Sequence, residues 1–301
     1  MQLGMIGLGK MGSFMTERLT RGGHEVIGYD RDEAAMERVR QVGAGIAASV
    51  SELVAALAAP RSIWVMVPDH VVGAVLDDLV PHLDPGDVVI DGGNSNFNDT
   101  LMRGSTLGQR GISYVDVGTS GGVWGLNEGY SMMVGGTPEA VSRLTPLFET
   151  LAPAPDKGWG HVGPVGSGHF AKMVHNGIEY GMMQAYAEGF DILRAKEEFG
   201  LDLHQIAEVW RFGSVIRSWL LDLTSEALEE NPTMDGIAPF VPDSGEGRWA
   251  VMEAIHLNVP APVITHSLIA RIESRNEYSY GYRLASAMRN KFGGHSVKKD
   301  S

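Results

Sequence analysis

The feature that most constrains the fold is a glycine-rich turn between a strand-like and a helix-like segment at the start of the chain. Gln2 to Ile6 is a short apolar run, and it is followed directly by Gly7-Leu8-Gly9-Lys10-Met11-Gly12. A helical stretch then runs to about Arg21, and a second strand, 25–29, ends at Asp30, 18 residues after the last glycine. In such a turn the glycines allow a tight bend, close approach of a pyrophosphate, and helix–strand packing. The segment therefore predicts a dinucleotide-binding βαβ unit with the phosphates at the helix N-terminus.

The residue at the end of the second strand indicates which dinucleotide binds. Asp30 is expected to accept hydrogen bonds from the adenosine ribose hydroxyls, and its charge repels a 2′-phosphate, which favours NAD over NADP. Arg31 has the opposite tendency, because a guanidinium can pair with a 2′-phosphate or stack on adenine. We predict NAD as the preferred cofactor, with NADP possible. Besides the six residues of the turn, the predicted cofactor contacts are Asp30, Arg31, Val67 and Asn94.

Composition limits the possible partners and the chemistry. A chain of 301 residues is long enough for two domains. The formal net charge of −13 argues against nucleic acid or an anionic membrane as a partner, so an anionic substrate needs a local basic pocket. Cysteine is absent, which excludes thiol catalysis, and the histidines lack the spacing of a helical metal pair, so no metal is expected. With no run of about 18 apolar residues and no leader-like segment, we expect a cytoplasmic protein without a membrane span.

The pattern of the chain changes near its middle. Strands are expected at 62–67, 88–91, 112–117 and 131–134, and helices at 69–79, 99–109 and 138–151. This alternation is typical of a doubly wound α/β domain with a mostly parallel sheet. Glycine and proline between 153 and 168 indicate a hinge, after which only helices are expected, at 169–199, 203–212, 215–229, 246–257, 262–272 and 280–292. We predict a Rossmann-like dinucleotide-binding domain, residues 1–165, and an all-α domain for substrate binding and dimerisation, residues 166–301.

Four polar residues share one face of the first long helix of the second half. Lys172, His175, Asn176 and Glu179 are three or four residues apart and form a stripe. A lysine that is partly removed from water can act as a base near neutral pH, and Glu179, two turns further on, can act as an acid. The alternative for Lys172 is a solvated lysine on the helix surface, and the alternative for His175 is a structural histidine without a role in catalysis. The other face is expected to be core: Phe170, Val174, Gly177, Ile178, Gly181 and Ala185.

Two loops after predicted strands combine glycine with small hydrogen-bonding side chains. Gly92-Gly93-Asn94-Ser95 follows the strand 88–91, and Gly118-Thr119-Ser120-Gly121-Gly122 follows the strand 112–117. Ligands of open α/β sheets bind beyond the carboxyl ends of the strands, where both loops are expected. Either loop alone could be a simple tight turn. Together, beside a dinucleotide site, they favour a site for a polyhydroxylated or carboxylated substrate.

These motifs together resemble the 6-phosphogluconate dehydrogenases over essentially the whole chain. The opening turn, the loop 91–95, the Ser120-Gly121-Gly122 turn and the helix segment Lys172–Tyr180 carry the resemblance. Other β-hydroxyacid dehydrogenases share the glycine turn, the Ser-Gly-Gly turn and the lysine, but generally lack His-Asn followed by Glu-Tyr. The chain looks like the shorter form of the enzyme, without the second helical repeat of longer members. The resemblance implies oxidation of the C3 hydroxyl of 6-phosphogluconate, loss of CO2, and protonation of the enediol to ribulose 5-phosphate.

The resemblance also implies individual roles. Lys172 is expected to take the hydroxyl proton and then polarise the ketone, and Glu179 to protonate C1. Arg271 looks like the family's phosphate arginine. Arg289 and His295 match a C-terminal segment that reaches into a neighbouring subunit's site, which implies a homodimer or homotetramer; the alternative is an exposed helix end. The implied contacts with the sugar acid are Asn94, Ser120, Gly121, Gly122, His175, Asn176 and Tyr180.

Two departures from the family pattern keep other functions open. Longer members carry Lys-Gly-Thr-Gly-Lys-Trp where this chain has the segment 244–249, so that a phosphate-binding lysine becomes Ser244 and a threonine becomes Glu246. A carboxylate beside a phosphate lowers affinity unless it faces away or pairs, for example with Arg248. Val123-Trp124 also departs from the more acidic longer sequences. A β-hydroxyacid dehydrogenase acting on an unphosphorylated acid, such as 3-hydroxyisobutyrate or gluconate, is therefore the second hypothesis. A nucleotide sensor without turnover is disfavoured because it needs no acid/base pair.

Overall fold

The chain forms an α/β unit followed by a helical unit. The computed structural model describes residues 1–276 and 279–293, together with residues 296 and 298. Two compact units divide between Asn176 and Gly177. The division therefore falls inside a long helix, after the glycine- and proline-rich segment.

One sheet forms the centre of the first unit. Its strands are β1 (Gln2–Ile6), β2 (Glu25–Tyr29), β3 (Gly45–Ile46), β4 (Ser62–Val65), β5 (Val88–Asp91), β6 (Ser113–Ser120), β7 (Ser131–Gly135) and β8 (Trp159–Gly163). Their order is β3-β2-β1-β4-β5-β6-β7-β8, and all neighbours are parallel except β6 and β7. The order runs outward from β1 in both directions, so a ligand crevice opens at the carboxyl ends of β1 and β4. The predicted doubly wound, mostly parallel sheet is confirmed.

Helices cover both faces of this sheet. They are α1 (Lys10–Arg21), α2 (Glu33–Gln41), α3 (Val50–Ala55), α4 (Asp69–Leu79), α5 (Phe97–Gly108), α6 (Gly125–Glu128) and α7 (Pro138–Leu151). Side chains alternate between two apolar layers, with Trp64 and Ile90 in one and Ile63, Val65 and Val89 in the other. This alternation follows from the two-residue period of a strand, and burial on both faces explains the continuous apolar runs in the sequence.

Two strands of the first unit, β8 and β3, are not indicated by the local sequence pattern. β8 lies in the segment that the glycine and proline content assigns to a hinge, and that part of the prediction is wrong. Trp159–Gly163 contains two glycines and has no alternating apolar pattern, yet pairing with β7 supplies its backbone hydrogen bonds. The two-residue β3 is likewise held by pairing with β2. Strand formation at both places depends on the neighbouring strand, which local sequence does not report.

The second unit is helical throughout its described part. α8 (Ser167–Ala195) begins in the first unit and continues into the second, where it is followed by α9 (Leu203–Arg211), α10 (Trp219–Glu230), α11 (Glu246–His256), α12 (Pro262–Glu273) and α13 (Tyr280–Gly293). Asp202 and Ser218 cap α9 and α10 by accepting backbone N–H groups. Phe190, Ala207 and Leu221 pack in its core. The predicted all-α second part is confirmed. None of the helices that the structure describes is long and apolar enough to cross a bilayer.

The buried face of α8 differs from the predicted one. Val174 and Ile178, expected in the core, are 36% and 52% exposed, whereas Lys172 is only 5% exposed. The reason is the close packing at the start of the helix, where a Cβ on Gly168 would lie 2.4 Å from the backbone oxygen of Met133. This contact turns the side of α8 that carries Lys172 towards the sheet. The hydrophobic face assigned from periodicity alone is therefore wrong at Val174 and Ile178, and also at Ala185, which is exposed.

Candidate functional site

The glycine turn after β1 has the geometry of a phosphate-binding turn. Gly7 has φ +95°, and a Cβ there would lie 2.4 Å from the backbone oxygen of Met66. A Cβ on Gly12 would lie 1.9 Å from the oxygen of Gly7, so these two positions require glycine for the turn to close. At Gly9, by contrast, nothing lies within 4 Å of the Cβ position. Gly9 is also the N-cap of α1 and offers no side-chain cap, so the helix N–H groups are left for a ligand.

Asp30 connects the end of β2 to this turn. Its Oδ2 accepts the N–H of Leu8 at 2.6 Å, and its Oδ1 accepts the N–H of Asp32 at 2.9 Å. Each carboxylate oxygen retains a second lone pair for a ribose hydroxyl. Asp30 therefore both fixes the turn and presents charge at the edge where the ribose of a dinucleotide would lie.

A cavity of about 270 Å³ lies beside the turn. Five predicted cofactor residues contribute to its lining: Gly7, Gly9, Asp30, Arg31 and Val67. Arg31 is exposed, and the side chain of Leu8 is fully buried in the core. Lys10 and Met11 begin α1 outside this lining. The open space at Gly9, the uncapped helix start and the acid at the rim fit a dinucleotide held by this unit.

Asn94 uses its side chain to join two loops. It has a left-handed backbone, φ +52°, and its Oδ1 accepts the N–H of Thr119 at 3.0 Å. Its Nδ2 donates to the backbone oxygen of Thr119 at 3.3 Å. The amide therefore attaches the loop after β5 to the end of β6. One N–H and one lone pair remain for the ligand contacts predicted for Asn94.

The buried carboxylate of Asp91 holds the loop 92–95, here called the Asn94 loop, in place. Asp91 accepts hydrogen bonds from Gly93 N at 3.0 Å, Ser95 Oγ at 2.8 Å and the hydroxyl of Tyr114 at 2.8 Å. Burial and the nearby Asp91 charge raise the pKa of Tyr114 well above its ordinary value, so the phenol remains a donor. The guanidinium of Arg103 lies 3.6 Å from the same carboxylate. The loop is thus held by a buried carboxylate that accepts three hydrogen bonds.

The Ser120-Gly121-Gly122 turn leaves the carboxyl end of β6. Gly121 and Gly122 have φ +132° and +50°, conformations that favour glycine. Val123 and Trp124, which depart from the longer family members, follow this turn with exposed side chains. The turn therefore begins next to Thr119, to which Asn94 is bonded.

Lys172, on α8, packs against β6, the strand that leads into the Ser120-Gly121-Gly122 turn. Its Cβ packs on Gly118, where an added Cβ would lie 2.4 Å from the Cβ of Lys172. The Lys172 amine is 3.5 Å from His175 Nδ1, which in turn is 3.0 Å from Asn176 Oδ1. Asn176 is also buried. The structure therefore brings Lys172, His175 and Asn176 into one polar cluster on the α/β unit, close to the end of β6.

The second unit carries the predicted residues that follow on α8. The guanidinium carbon of Arg271 lies 3.5 Å from the centre of the Tyr180 ring, a cation–π contact. The hydroxyl of Tyr180 accepts the N–H of Ser244 at 3.2 Å, and the hydroxyl of Ser244 donates to the carboxylate of Glu246, which is buried. Glu179 precedes Tyr180 on the same helix. This unit therefore groups Tyr180, Arg271, Ser244 and Glu246.

Arg248, suggested from the sequence as a partner for Glu246, instead donates a hydrogen bond to Asp243. Arg248 donates to Asp243 at 3.1 Å, and Arg275 donates to the same oxygen at 2.9 Å. Burial alone would raise the pKa of Asp243, but the two guanidinium groups outweigh it and hold that pKa below its ordinary value. Arg289 is exposed on α13, and His295 lies outside the described residues. The described residues include no group of three or more histidine or acidic side chains able to hold a metal ion.

Family models match both halves of the chain. Residues 2–163 match the NAD binding domain of 6-phosphogluconate dehydrogenase, and residues 168–283 match the C-terminal domain of 6-phosphogluconate dehydrogenase. The chain belongs to the 6-phosphogluconate dehydrogenase family. The resemblance drawn from the sequence motifs is therefore confirmed.

Relatives differ in length and in the cofactor that their names give. An NAD(+)-dependent, decarboxylating 6-phosphogluconate dehydrogenase of Haloferax volcanii is 46% identical over 99% of both chains. An NADP(+)-dependent, decarboxylating member from Bacillus subtilis is 35% identical over 91% of this chain, which spans 61% of that protein. The Plasmodium falciparum 6-phosphogluconate dehydrogenase, solved with NADP+ and with 6-phosphogluconate, matches with a TM-score of 0.83 and 26% identity; it covers 100% of this chain, which spans 66% of it.

A more distant likeness shows only the fold. The 3-hydroxyisobutyrate dehydrogenase of Mycobacterium tuberculosis has a TM-score of 0.74 and 23% identity over 92% of this chain and 94% of that one. The architecture is therefore shared more widely than the motifs of the 6-phosphogluconate dehydrogenases. A shared fold does not determine the function, which depends on the residues of the site.

Sequence reasoning missed several polar residues around the site. Asp91 and Tyr114 lie in strands that read as apolar runs, and their bond becomes visible only when β5 and β6 pair. Thr100 and His169 are separated by 69 residues, and their side chains lie 2.7 Å apart. A signal for His169 was present, since it lies one helical turn before Lys172. Asp91 belongs to the 91–95 motif, whereas Tyr114 and Thr100 carry no local signal.

Proposed function

We propose that the chain catalyses the oxidative decarboxylation of 6-phosphogluconate to ribulose 5-phosphate and CO2 with NAD(P). The observation that carries the proposal is the position of Lys172. Its nearly buried side chain packs on Gly118 at the end of β6, in the same unit as the dinucleotide turn. Burial keeps bulk water from competing for the amine, which makes it suited to bind and move a substrate proton. Family membership supports the same reaction.

Each step of the reaction relies on a residue of this chain. The Lys172 amine takes the proton of the C3 hydroxyl, and its protonated form then donates a hydrogen bond to the ketone oxygen. When the C1–C2 bond breaks and CO2 leaves, the bonding electrons pass through C2 to this oxygen, which takes the proton back from Lys172 and gives the enediol. Glu179, two turns further along α8, donates a proton to the carbon that becomes C1 of the product, while the enediol hydroxyl returns its proton to Lys172 and the ketone forms. A bound NAD(P) supplies the acceptor for the hydride from C3.

The remaining predicted residues bind the substrate in this proposal. Their described environments suit substrate binding, because the Ser120-Gly121-Gly122 turn exposes backbone and because His175 and Asn176 lie beside Lys172. Arg271, stacked on Tyr180, is the proposed cation for the phosphate. The C-terminal segment with Arg289 and His295 is proposed to complete the site of a neighbouring subunit in a homo-oligomer.

Steady-state kinetics with 6-phosphogluconate test the function directly. NADH or NADPH formation and CO2 release are expected in equal amounts. Lys172→Ala should lower kcat by about 10²-fold or more while NAD binding is retained, because a positioned general base contributes roughly 10²–10⁴-fold. If Lys172→Ala binds NAD normally and leaves a robust wild-type turnover unchanged, the assignment of the base is wrong.

We further propose that NAD is preferred over NADP because Asp30 places a negative charge at the ribose edge of the cavity. Asp30→Asn removes the charge and keeps one oxygen that can accept the Leu8 N–H. It should raise the ratio of kcat/KM for NADP to that for NAD by about tenfold or more, which corresponds to about 1.4 kcal/mol of relieved repulsion. Asp32→Asn is the matched control, since it removes the same charge two residues away and asparagine remains a good N-cap for α2. An equal change in both variants would exclude a specific role for Asp30.

A second candidate is oxidation of an unphosphorylated β-hydroxyacid. The contact between Ser244 and Glu246 favours it, because a carboxylate occupies the surroundings of Tyr180 where longer family members carry lysine and threonine. Gluconate and 3-hydroxyisobutyrate should then be used with a kcat/KM at least as high as that of 6-phosphogluconate. A preference for 6-phosphogluconate of more than about tenfold would reject this candidate.

A further inference from the structure

His169 is a buried histidine that has no part in the reaction as proposed above. It is 1% exposed, and its Nδ1 lies 2.7 Å from the hydroxyl oxygen of Thr100. Its Nε2 has no hydrogen-bond partner among the described residues. A buried polar atom without a partner costs about 1–3 kcal/mol, so an apolar side chain would be more stable if this position served only for packing. The imidazole therefore indicates a role for the bond that Nδ1 makes.

The bond between His169 and Thr100 joins two elements that carry site residues. His169 precedes Lys172 by one turn of α8. Thr100 lies in the first turn of α5, which follows the Asn94 loop directly, and its hydroxyl is also 3.2 Å from the backbone oxygen of Asn96. A shift of α5 is therefore transmitted to the loop, and a shift of α8 is transmitted to Lys172.

The start of α8 is held on its other side by the sheet. The carboxylate of Asp116, in β6, accepts the N–H groups of Gly166 at 2.7 Å and of His169 at 2.8 Å. Lys172 packs on Gly118 in the same strand. Thr119, the next residue, is bonded by Asn94. The contacts thus form a closed ring that runs from β6 to α8, through His169 and Thr100 to α5, through the Asn94 loop, and back to β6.

We propose that His169 is a positioning residue that sets the distance between Lys172 and the Asn94 loop through Thr100. The proposal rests on the proposed function, because that function requires Lys172 at a fixed place. Removing one hydrogen bond from this closed set of contacts allows α5 and the Asn94 loop to move relative to α8. A misplacement of about 1 Å can lower the rate of a chemical step about 10²-fold, even when the substituted residue does not touch the substrate.

The test compares variants that remove or keep the bond. Thr100→Val removes the hydroxyl and keeps the shape, whereas Thr100→Ser keeps the hydroxyl. Ser62→Ala is the matched control, because it also removes one hydrogen bond of a buried residue's hydroxyl, donated by Arg143 at 3.1 Å, at the opposite end of the parallel strands. For each variant we would measure kcat, KM, NAD affinity, melting temperature, and the primary isotope effect with substrate deuterated at C3.

Thr100→Val is expected to lower kcat 10- to 100-fold, with NAD affinity within about twofold of wild type. The isotope effect should rise because hydride transfer becomes more rate-limiting. Thr100→Ser and Ser62→Ala should keep kcat within about twofold. If Thr100→Val loses as much thermal stability as Ser62→Ala but keeps kcat and the isotope effect, the bond is structural only and the proposal is overturned. Should Thr100→Val fail to fold, the comparison of His169→Asn, which keeps a polar atom at the Nδ1 position, with His169→Leu carries the same test.

A measurement without substrate separates this proposal from the proposed function. Competitive acetylation with acetic anhydride, followed by mass spectrometry, gives the relative reactivity of each lysine amine in the free protein. In Thr100→Val the labelling rate of Lys172 should change at least threefold, while Lys10 and Lys157 keep their rates. An unchanged rate at Lys172 overturns the positioning role. A wild-type protein that does not oxidise 6-phosphogluconate overturns the proposed function, and the labelling result still decides the role of His169.

Discussion

Gly118→Ala should reduce turnover by displacing Lys172 without removing any functional group. Gly118 lies in β6 under the start of α8, and its missing side chain is what allows the helix to approach. An alanine Cβ there would lie 2.4 Å from the Cβ of Lys172 and 2.6 Å from the backbone oxygen of Gly168. Neither atom is the far end of a flexible side chain, so relief requires movement of the helix or of the strand.

The size of the effect follows from these distances. Two carbon atoms in contact are normally about 3.5 Å apart, so the Cβ atoms must separate by about 1 Å. Overpacking of this kind costs about 1–3 kcal/mol of stability. A displacement of about 1 Å in a catalytic group lowers kcat about 10²-fold, which corresponds to about 2.7 kcal/mol in the activation free energy. Turnover should therefore fall even if the protein stays folded.

The assay is steady-state kinetics with 6-phosphogluconate, combined with thermal unfolding and NADH binding followed by fluorescence. Gly73→Ala is the matched control, because Gly73 lies within α4 and nothing is within 4 Å of its Cβ position. That substitution should raise stability by up to about 1 kcal/mol through helix propensity and leave kcat unchanged. A folded Gly118→Ala protein with wild-type kcat would refute the idea that the packing of Lys172 on β6 governs catalysis.

Two further predictions concern stability. Tyr130→Phe should leave the free energy of unfolding unchanged or raise it by about 1 kcal/mol. The reason is that the Tyr130 hydroxyl is buried without a partner among the described residues, and burial raises the pKa of Tyr130 to about 12. Urea denaturation measures the free energy of unfolding, and a clear decrease would contradict the prediction. Asp243→Asn should cost about 1–2 kcal/mol at pH 7, since Arg248 and Arg275 share this carboxylate. The pKa of Asp243 is lowered in the folded state, so its contribution is complete above the unfolded pKa, near 3.8, and disappears as the pH falls through the lower folded pKa. The difference in stability between wild type and Asp243→Asn should therefore shrink below about pH 4, and a difference that stays constant would count against the ion pairs.

The elements predicted most accurately are those with strong local signals. The predicted bounds of α4, α7 and β5 coincide with the observed ones. α7 begins with proline after a threonine cap, and β5 is three apolar residues and Asp91, followed by glycine. Such signals depend on neighbours in sequence, so a single chain reveals them. Much of the candidate site could be selected in the same way, since Lys172, His175 and Asn176 are helix neighbours.

The parts that could not be predicted depend on residues distant in sequence. Thr100 and His169 need two helices in place before they meet, and Asp30 can tie the turn only once β1 and β2 pair. The apolar face of α8 was misassigned for the same reason. Periodicity identifies two faces of a helix but does not say which of them a sheet will cover.

The amino-acid sequence alone specified a glycine-dependent turn between strand and helix, an α/β half followed by a helical half, and a polar stripe centred on a lysine. Each of these features depends on spacings of a few residues. Tertiary structure decided which side of the stripe-bearing helix is buried and which distant side chains hold it there. Those outcomes depend on backbone approach at Gly118 and Gly168, and such contacts exist only when remote segments have packed together.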